Sequence, residues 1–327
     1  IYDFSAKKQS LKKREIELGI HHQELGLPWN EPAPEELWSK VADYCVNDVM
    51  ATEILFHELQ VDFETRKLLA SLSGLSVNDT NRQHITKILV GNETNPQHVY
   101  TDLSVIFPGY EYVIDENRTR HNMYRGVDVG FGGYVYSEPG MYTNVALLDV
   151  GNMHGASIIA LNKFGEHTKN YADIREARMA IKAGRFEDAR KMLGGKLVPL
   201  VDEIEAMEKG SDAQLKKIDG LQTALKLILN STYGIAAATF DNPLRDKRDV
   251  NNIIALRGAL FMKTLQDEVV AKGFQVIHIK TDSIKVPEAT PELIQFIMDF
   301  GKKYGYEFEH ECTYEKMCLV NDAVYIA

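Results

Sequence analysis

Two carboxylates stand at the ends of apolar, strand-like runs. Asp149 closes Asn144–Val150 (NVALLDV), and Asp282 sits in Phe274–Lys285 (FQVIHIKTDSIK), where the pattern reads strand, turn, strand. A carboxylate at the end of an apolar strand is costly to desolvate unless something compensates it. One reading of Asp149 is a cap for the helix that follows. The chemical reading is that both acids converge on a pair of Mg²⁺ ions. Hard divalent cations take oxygen ligands, and few of these come from protein when phosphates supply the rest. Two ions roughly 3.5–4 Å apart stabilise both the attacking and the leaving oxygen in phosphoryl transfer.

A third group lies in Lys226–Gly234 (KLILNSTYG). On a helix Lys226, Asn230 and Tyr233 fall at i, i+4 and i+7 and share a stripe, with Leu225, Leu227, Ile228 and Leu229 opposite. A cation, an amide and an aromatic ring on one stripe suit a nucleotide, with phosphate on the Lys and sugar or base near the Tyr. The plainer reading is a solvated polar face. Upstream, Arg175, Arg178, Lys182 and Arg185 also recur at helical spacing. They read as a solvated face or as a contact for a triphosphate or template phosphates.

The elements that must carry these groups follow from pattern. Residues 1 to about 70 read as helical, with a helix over Pro34–Phe56 that opens on Pro and two Glu. Val90–His98 is polar and reads as a linker. Tyr110–Leu148 reads as short strands and turns, with Gly130–Gly133 (GFGG) a tight turn before a strand at Tyr134–Tyr136. Tyr171–Leu193 and Val201–Lys217 read as a helical pair broken at Gly194–Gly195. Gly220–Tyr233 and Asn251–Lys272 read as helices, the latter ending at Gly273. Pro291–Tyr304 reads as a helix and Cys318–Ile326 as a final strand. Strands interleave with helices, so the class is mixed α and β.

The 327 residues allow roughly two domains, and the composition is that of a globular protein, 44% hydrophobic and 26% charged. No apolar run reaches the roughly 18 residues of a membrane span, and no basic-then-apolar leader opens the chain. The expectation is no membrane partner and a cytoplasmic location. Cys45, Cys312 and Cys318 are odd in number and form no CxxC, which points to reduced thiols; a zinc site using Cys312 and Cys318 fits no common spacing. The net charge of −10 argues against nucleic acid at first sight. Yet Lys163–Lys263 holds 18 basic against 14 acidic residues, so the middle of the chain is basic and the acidity lies outside it.

KLILNSTYG resembles the Kx3NSxYG motif B of family B DNA polymerases at every fixed position. Leu148–Asp149–Val150 followed by Ser157–Ile158–Ile159 resembles motif A (DxxSLYPSII), and Lys280–Thr281–Asp282–Ser283 resembles motif C (YxDTDS). The three stand in the family's order. Family A polymerases would place Lys where Leu225 stands and His-Asp-Glu in motif C, and reverse transcriptases would show paired Asp; neither pattern is present. Tyr44–Asp48 resembles the Y-x3-D of the third proofreading exonuclease motif, in which the Asp holds a metal and the Tyr orients water. Asp3, the only acid near the start, is given no role. Gly130–Gly133 resembles the YxGG loop, with Gly130 in place of Tyr, and Ala323–Val324–Tyr325 the KxY motif, with Ala in place of the primer-gripping Lys.

The resemblance implies an α+β polymerase palm, an antiparallel sheet backed by helices, with helical fingers, preceded by the tail of a ribonuclease H-like exonuclease domain. The expected division is exonuclease tail 1–95, palm 96–171 with motif A, fingers 172–233 with motif B, palm 234–327 with motif C, and no thumb. The Ile start and the strand-like end suit an internal piece of a longer protein, one that binds primer–template poorly by itself. The implied reaction is attack of a primer 3′-OH on the α-phosphate of a dNTP in DNA replication, with primer–template DNA, dNTPs and replisome proteins as partners. Asp149, Asp282 and the Val150 carbonyl would hold two Mg²⁺ ions, with Mn²⁺ able to substitute. Lys226, Asn230, Tyr233, Arg175 and Arg178 would bind the nucleotide, and Gly132, Gly133 and Tyr325 the DNA.

Motifs C and A also depart from the family pattern. Lys280 replaces the first Asp of motif C, His278 stands where Tyr is usual, and Met153–His154–Gly155 replaces Leu-Tyr-Pro. By position His154 takes the place of the Tyr that lies under the sugar and excludes ribonucleotides. These variations suggest a phage or prophage branch, hence a bacterial or phage-infected host cell. They also leave an alternative: a replisome component or relic that binds nucleic acid with weakened catalysis. A nuclease alone would have no use for motif B.

Overall fold

A computed structural model describes residues 9–28 and 30–327. Asp3 and the first eight residues of the expected exonuclease tail lie outside them. In chain order the helices α1 (Leu11–Leu18), α2 (Trp38–Glu58), α3 (Gln60–Ser73), α4 (Asn81–Val90) and α5 (Leu103–Ile106) precede strands β1 (Tyr110–Ile114), β2 (Arg120–Tyr124), β3 (Val127–Asp128), β4 (Val135–Ser137) and β5 (Gly140–Val150). Helices α6 (Met153–Ala160), α7 (Thr168–Lys182), α8 (Phe186–Arg190), α9 (Val198–Glu205), α10 (Asp212–Ala236) and α11 (Ile253–Ala271) follow. The chain ends with β6 (His278–Lys280), β7 (Ser283–Pro287), α12 (Pro291–Lys303), β8 (Phe308–Leu319) and β9 (Tyr325–Ile326).

The chain divides into two compact units. One comprises residues 1–88 and 174–228, the other 89–173 and 229–327. The regular elements of the first, among its described residues, are all helices. Its long helices bury one stripe each, as Leu68, Leu69 and Leu72 show on α3 and Leu221, Ala224, Leu225 and Ile228 on α10. Such a stripe gives an amphipathic helix most of its stability, since propensity alone supplies little.

The expected helical pair in the middle of the chain needs correction. It breaks first at Gly184 (φ +70°), not at Gly194–Gly195, and the second member is two helices, α9 and the 25-residue α10, separated near Gly210. Gly220 lies inside α10 and does not start a helix. Arg185 lies beyond the end of α7, so the four-residue basic stripe is only three residues long on the helix.

The second unit holds a six-stranded, wholly antiparallel sheet in the order β4-β6-β7-β5-β8-β9, and a separate three-stranded sheet β1-β2-β3. Helix α11 packs on α6 and α12, and α12 on β8. Phe261 of α11 gathers Phe300, Tyr304, Tyr306 and Phe308 around it, joining the helices to one face of the sheet. The strands around Asp149 exceed expectation: β5 runs back to Gly140, and the final strand Cys318–Ile326 is the end of a long β8 plus a short β9. The middle of β8 is mostly exposed, and apolar burial at Phe308, Met317 and Leu319 marks only its two ends. No described helix is long and apolar enough to cross a membrane.

Candidate metal and nucleotide site

Strand β5 pairs with β7 on one side and β8 on the other, so its last residues lie inside the sheet. In antiparallel strands, residues directly opposite share a face. Register then sets two adjacent rows on one face. The outer row is Lys280, Ser283, Asp149 and Glu309; the next is His278, Lys285, Leu147 and Cys312. A bulge in β8 between these rows leaves Glu311 as the extra residue.

Asp282 lies in the two-residue turn between β6 and β7. Thr281 of that turn is left-handed (φ +58°), unusual for a β-branched residue. Its amide donates to the Tyr134 carbonyl at 3.0 Å, and the Asp282 amide donates to Lys280 at 2.7 Å. Gly133 (φ +146°) backs the turn, and a Cβ there would come within 2.9 Å of the Thr281 side chain. Gly133 is therefore spent on holding the hairpin tip, while Gly132 stays exposed. The tip is tied to β5 by the Val150 amide, which donates to the Asp282 carbonyl at 2.9 Å.

This arrangement brings Asp149 and Asp282 together. Burial pushes the Asp149 carboxyl up to about 6, helped by the charges of Asp282, Glu311 and Glu309 and opposed by Lys285. Burial also raises Asp282, against its own backbone hydrogen bond and the influence of His154. Half-buried carboxylates raised by burial, one of them also by its like-charged neighbours, are a donor set short of positive charge. Hard oxygen ligands with that deficit fit a divalent cation.

His154 enters on the first turn of α6. Asn152, left-handed at φ +55°, caps that helix, and Gly155 is needed because a Cβ there would strike Asn152 and the Tyr171 hydroxyl. The His154 ring stacks on Tyr233 of α10, with centroids 4.0 Å apart and planes 28° apart. Burial lowers the His154 pKa, with Asp282 opposing, so the stacked ring is neutral at neutral pH. Asn252 fixes Tyr233 from the other side, donating to its hydroxyl at 3.0 Å and to the Phe131 carbonyl at 2.9 Å.

The other expected residues are placed as follows. Lys226 and Asn230 are exposed on α10, on the stripe opposite its buried leucines. Arg175 and Arg178 are half-buried on α7. Tyr325 lies on β9, its ring 4.7 Å from the Lys285 ammonium. Tyr44 and Asp48 share a face of α2, where Lys12 of α1 pairs with Asp48 at 2.5 Å and lies over the Tyr44 ring at 4.3 Å. Cys45 is exposed, Cys312 and Cys318 are half-buried, and all three are free.

Sequence reasoning missed Glu309, Glu311 and Lys285. The signal for the two acids was the alternation Glu307, Glu309, Glu311 leading into and through a strand whose first ten residues the pattern leaves unassigned. Lys285 carried no signal, since a lysine at the end of a hairpin pattern reads as exposed.

No family model and no curated protein matches the chain. Among solved structures it is similar to the family B DNA polymerase from the hyperthermophilic archaeon Pyrobaculum calidifontis, at 16% sequence identity and a TM-score of 0.45. The match covers 98% of this chain and 42% of that polymerase. At that level the likeness carries no argument about function, which rests on the residues themselves.

Proposed function

We propose that the chain is the core of a template-directed DNA polymerase of the family B type, extending a primer 3′-OH with dNTPs in DNA replication. The observation that carries this reading is the convergence of Asp149 and Asp282 at one strand-tip junction, 133 residues apart in sequence, with the His154–Tyr233 stack on the same unit. The motif resemblance supports it independently. In this reading residues 96–171 and 234–327 are the palm, 172–233 the fingers and 1–95 an exonuclease tail.

Asp149 and Asp282 would hold two Mg²⁺ ions, with the Val150 carbonyl as a further ligand. When bound, these supply charge neutralisation and activate the 3′-OH. The chain's residues do the rest. The hairpin tip, buttressed by Gly133, holds Asp282 beside β5. Lys226, with Arg175 and Arg178, meets the triphosphate, and a fixed cation there stabilises charge that grows in the transition state. Asn230 and Tyr233 orient the incoming nucleotide, and the neutral His154 ring, held against Tyr233, limits space at the sugar 2′ position. Gly132 and Tyr325 meet the primer–template.

Primer extension by the full-length enzyme carrying Asp282→Ala tests the reading. Extension should disappear while the melting temperature is kept; undiminished extension would sink it. Lys280 favours the second reading, a catalytically weakened nucleic-acid-binding component, because it adds an exposed cation in the outer row beside Ser283. That reading expects no divalent-ion binding that depends on Asp149 or Asp282.

A further inference from the structure

Lys285 is a buried lysine that the proposed reaction does not use. It is 2% exposed, in the row directly behind Asp149. Its ammonium donates to Nδ1 of His278 at 3.0 Å, and Nε2 of His278 then donates to the Asp322 carbonyl at 3.1 Å. Those two bonds fix the imidazole as the neutral Nε2–H tautomer. The Tyr325 ring lies over the ammonium and Tyr314 lies beside Tyr325, so the β8–β9 turn covers the lysine. Among the described residues no salt bridge neutralises it; burial and the charge of Lys280 lower its pKa, opposed through space by Asp149 and Glu311.

Burying an ammonium against a neutral imidazole is costly. A methionine would fill the same volume without that cost, so the position is explained by what the charge does. The groups that feel it are carboxylates: Lys285 acts against the upward push on Asp149. Asp149, Asp282, Glu309 and Glu311 crowd one corner of the sheet, and four such groups would bind divalent ions more tightly than a two-acid site.

We infer that Lys285 is a fixed counter-charge behind the carboxylates, a positioning residue that weakens divalent-ion binding so that the ions exchange during turnover. It deepens the two-ion reading above and rests on it. Lys280, exposed in the outer row, adds to the same field from a more screened place. The chemistry needs no bond change: a cation held by packing subtracts from the attraction that a second cation feels.

The test is calorimetric titration of Mg²⁺ into the metal-free 327-residue chain at pH 8, with native protein, Lys285→Met, Lys285→Arg and Asp282→Ala. Lys285→Met should bind Mg²⁺ about tenfold more tightly, and Lys285→Arg should bind as the native chain does. Loosened packing would act the other way and weaken binding, so the sign separates a charge role from a structural one; a melt of each variant records its folding. Unchanged or weaker binding by Lys285→Met overturns the counter-charge while leaving the two-ion reading intact if Asp282→Ala loses binding. No binding by the native chain overturns both.

Discussion

Two sites were expected to hold metal, Asp149 with Asp282 and Asp48 beside Tyr44, and their surroundings are opposite. At the β5 tip, Asp149 meets further carboxylates, and burial with like charge raises its pKa to about 6. On α2, Asp48 meets a cation already in place: Lys12 pairs with it and lies over Tyr44, in a network with the buried Glu15, Asn47 and His22. Burial alone would lower the Lys12 pKa, yet hydrogen bonds to Asp48 and Tyr44 raise it above its ordinary value. At the first site, among the described residues, no cation pairs with the carboxylates and Lys285 acts only from the row behind, whereas the second has its own paired cation. Spacing, Y-x3-D on one helix face, describes both a metal ligand and a helix–helix clamp; only the neighbour distinguishes them.

The largest expected effect that tests this contrast is at Asp149. Asp149→Asn should lower primer extension roughly 10³-fold and yet stabilise the metal-free chain. The folded pKa of about 6 lies above the ordinary 3.8, so the folded state holds this proton more tightly than the unfolded state. The native chain therefore loses stability as pH rises from about 4 to about 6, and the loss is complete above that. Asn escapes the loss. Melting at pH 8 without metal should favour the variant by about 1 kcal/mol, less than the full shift because half the group faces water. Added Mg²⁺ should raise the melting temperature of the native chain only. A variant less stable than the native chain at pH 8 would show that the site carries no excess of negative charge.

A smaller effect is expected at His154. Its stacking on Tyr233 and its depressed pKa describe a rigid, neutral plate beside Asp282. His154→Ala should raise the ratio of ribonucleotide to deoxynucleotide incorporation about tenfold, while His154→Phe keeps it low. An unmoved ratio in steady-state incorporation assays removes His154 from sugar selection and leaves it a packing partner of Tyr233.

Much of this could be read from the chain. The hairpin at 278–287, the helix α11 with its end at Gly273, and α12 followed from periodicity and from Gly and Pro. Asp149 and Asp282 stood out because an acid ending an apolar run breaks the pattern of its own strand. What could not be read was set by partners far away in sequence. Strand β8 escaped notice because its middle faces water and its apolar residues lie near the ends. Without β8, neither Glu309 and Glu311 nor the bulge could be placed beside Asp149. Lys285 was invisible because its burial depends on Tyr325 and Asp322, which fold back over it from the end of the chain. The helical pair read over 171–217 was misdivided because Gly194–Gly195 and Gly220 read as boundaries, whereas the first break falls at Gly184 and a long buried stripe carries α10 straight through Gly220.

The smallest expected effect decides the other half of the contrast. If Lys12 and Asp48 form a clamp between α1 and α2, Lys12→Met and Asp48→Asn should each cost about 0.5–1 kcal/mol in denaturant unfolding, less in 1 M salt, because partly exposed pairs are screened. The double variant should cost less than the sum, as expected for groups that act on each other. Neither change should alter Mg²⁺ titration of the chain, since the ion-binding deficit lies at Asp149 and Asp282. The opposite result is equally definite. If Lys12→Met opens a new class of Mg²⁺ sites that Asp48→Asn abolishes, Asp48 is a ligand held closed by Lys12, and the contrast between the two sites becomes one of occupancy by a lysine.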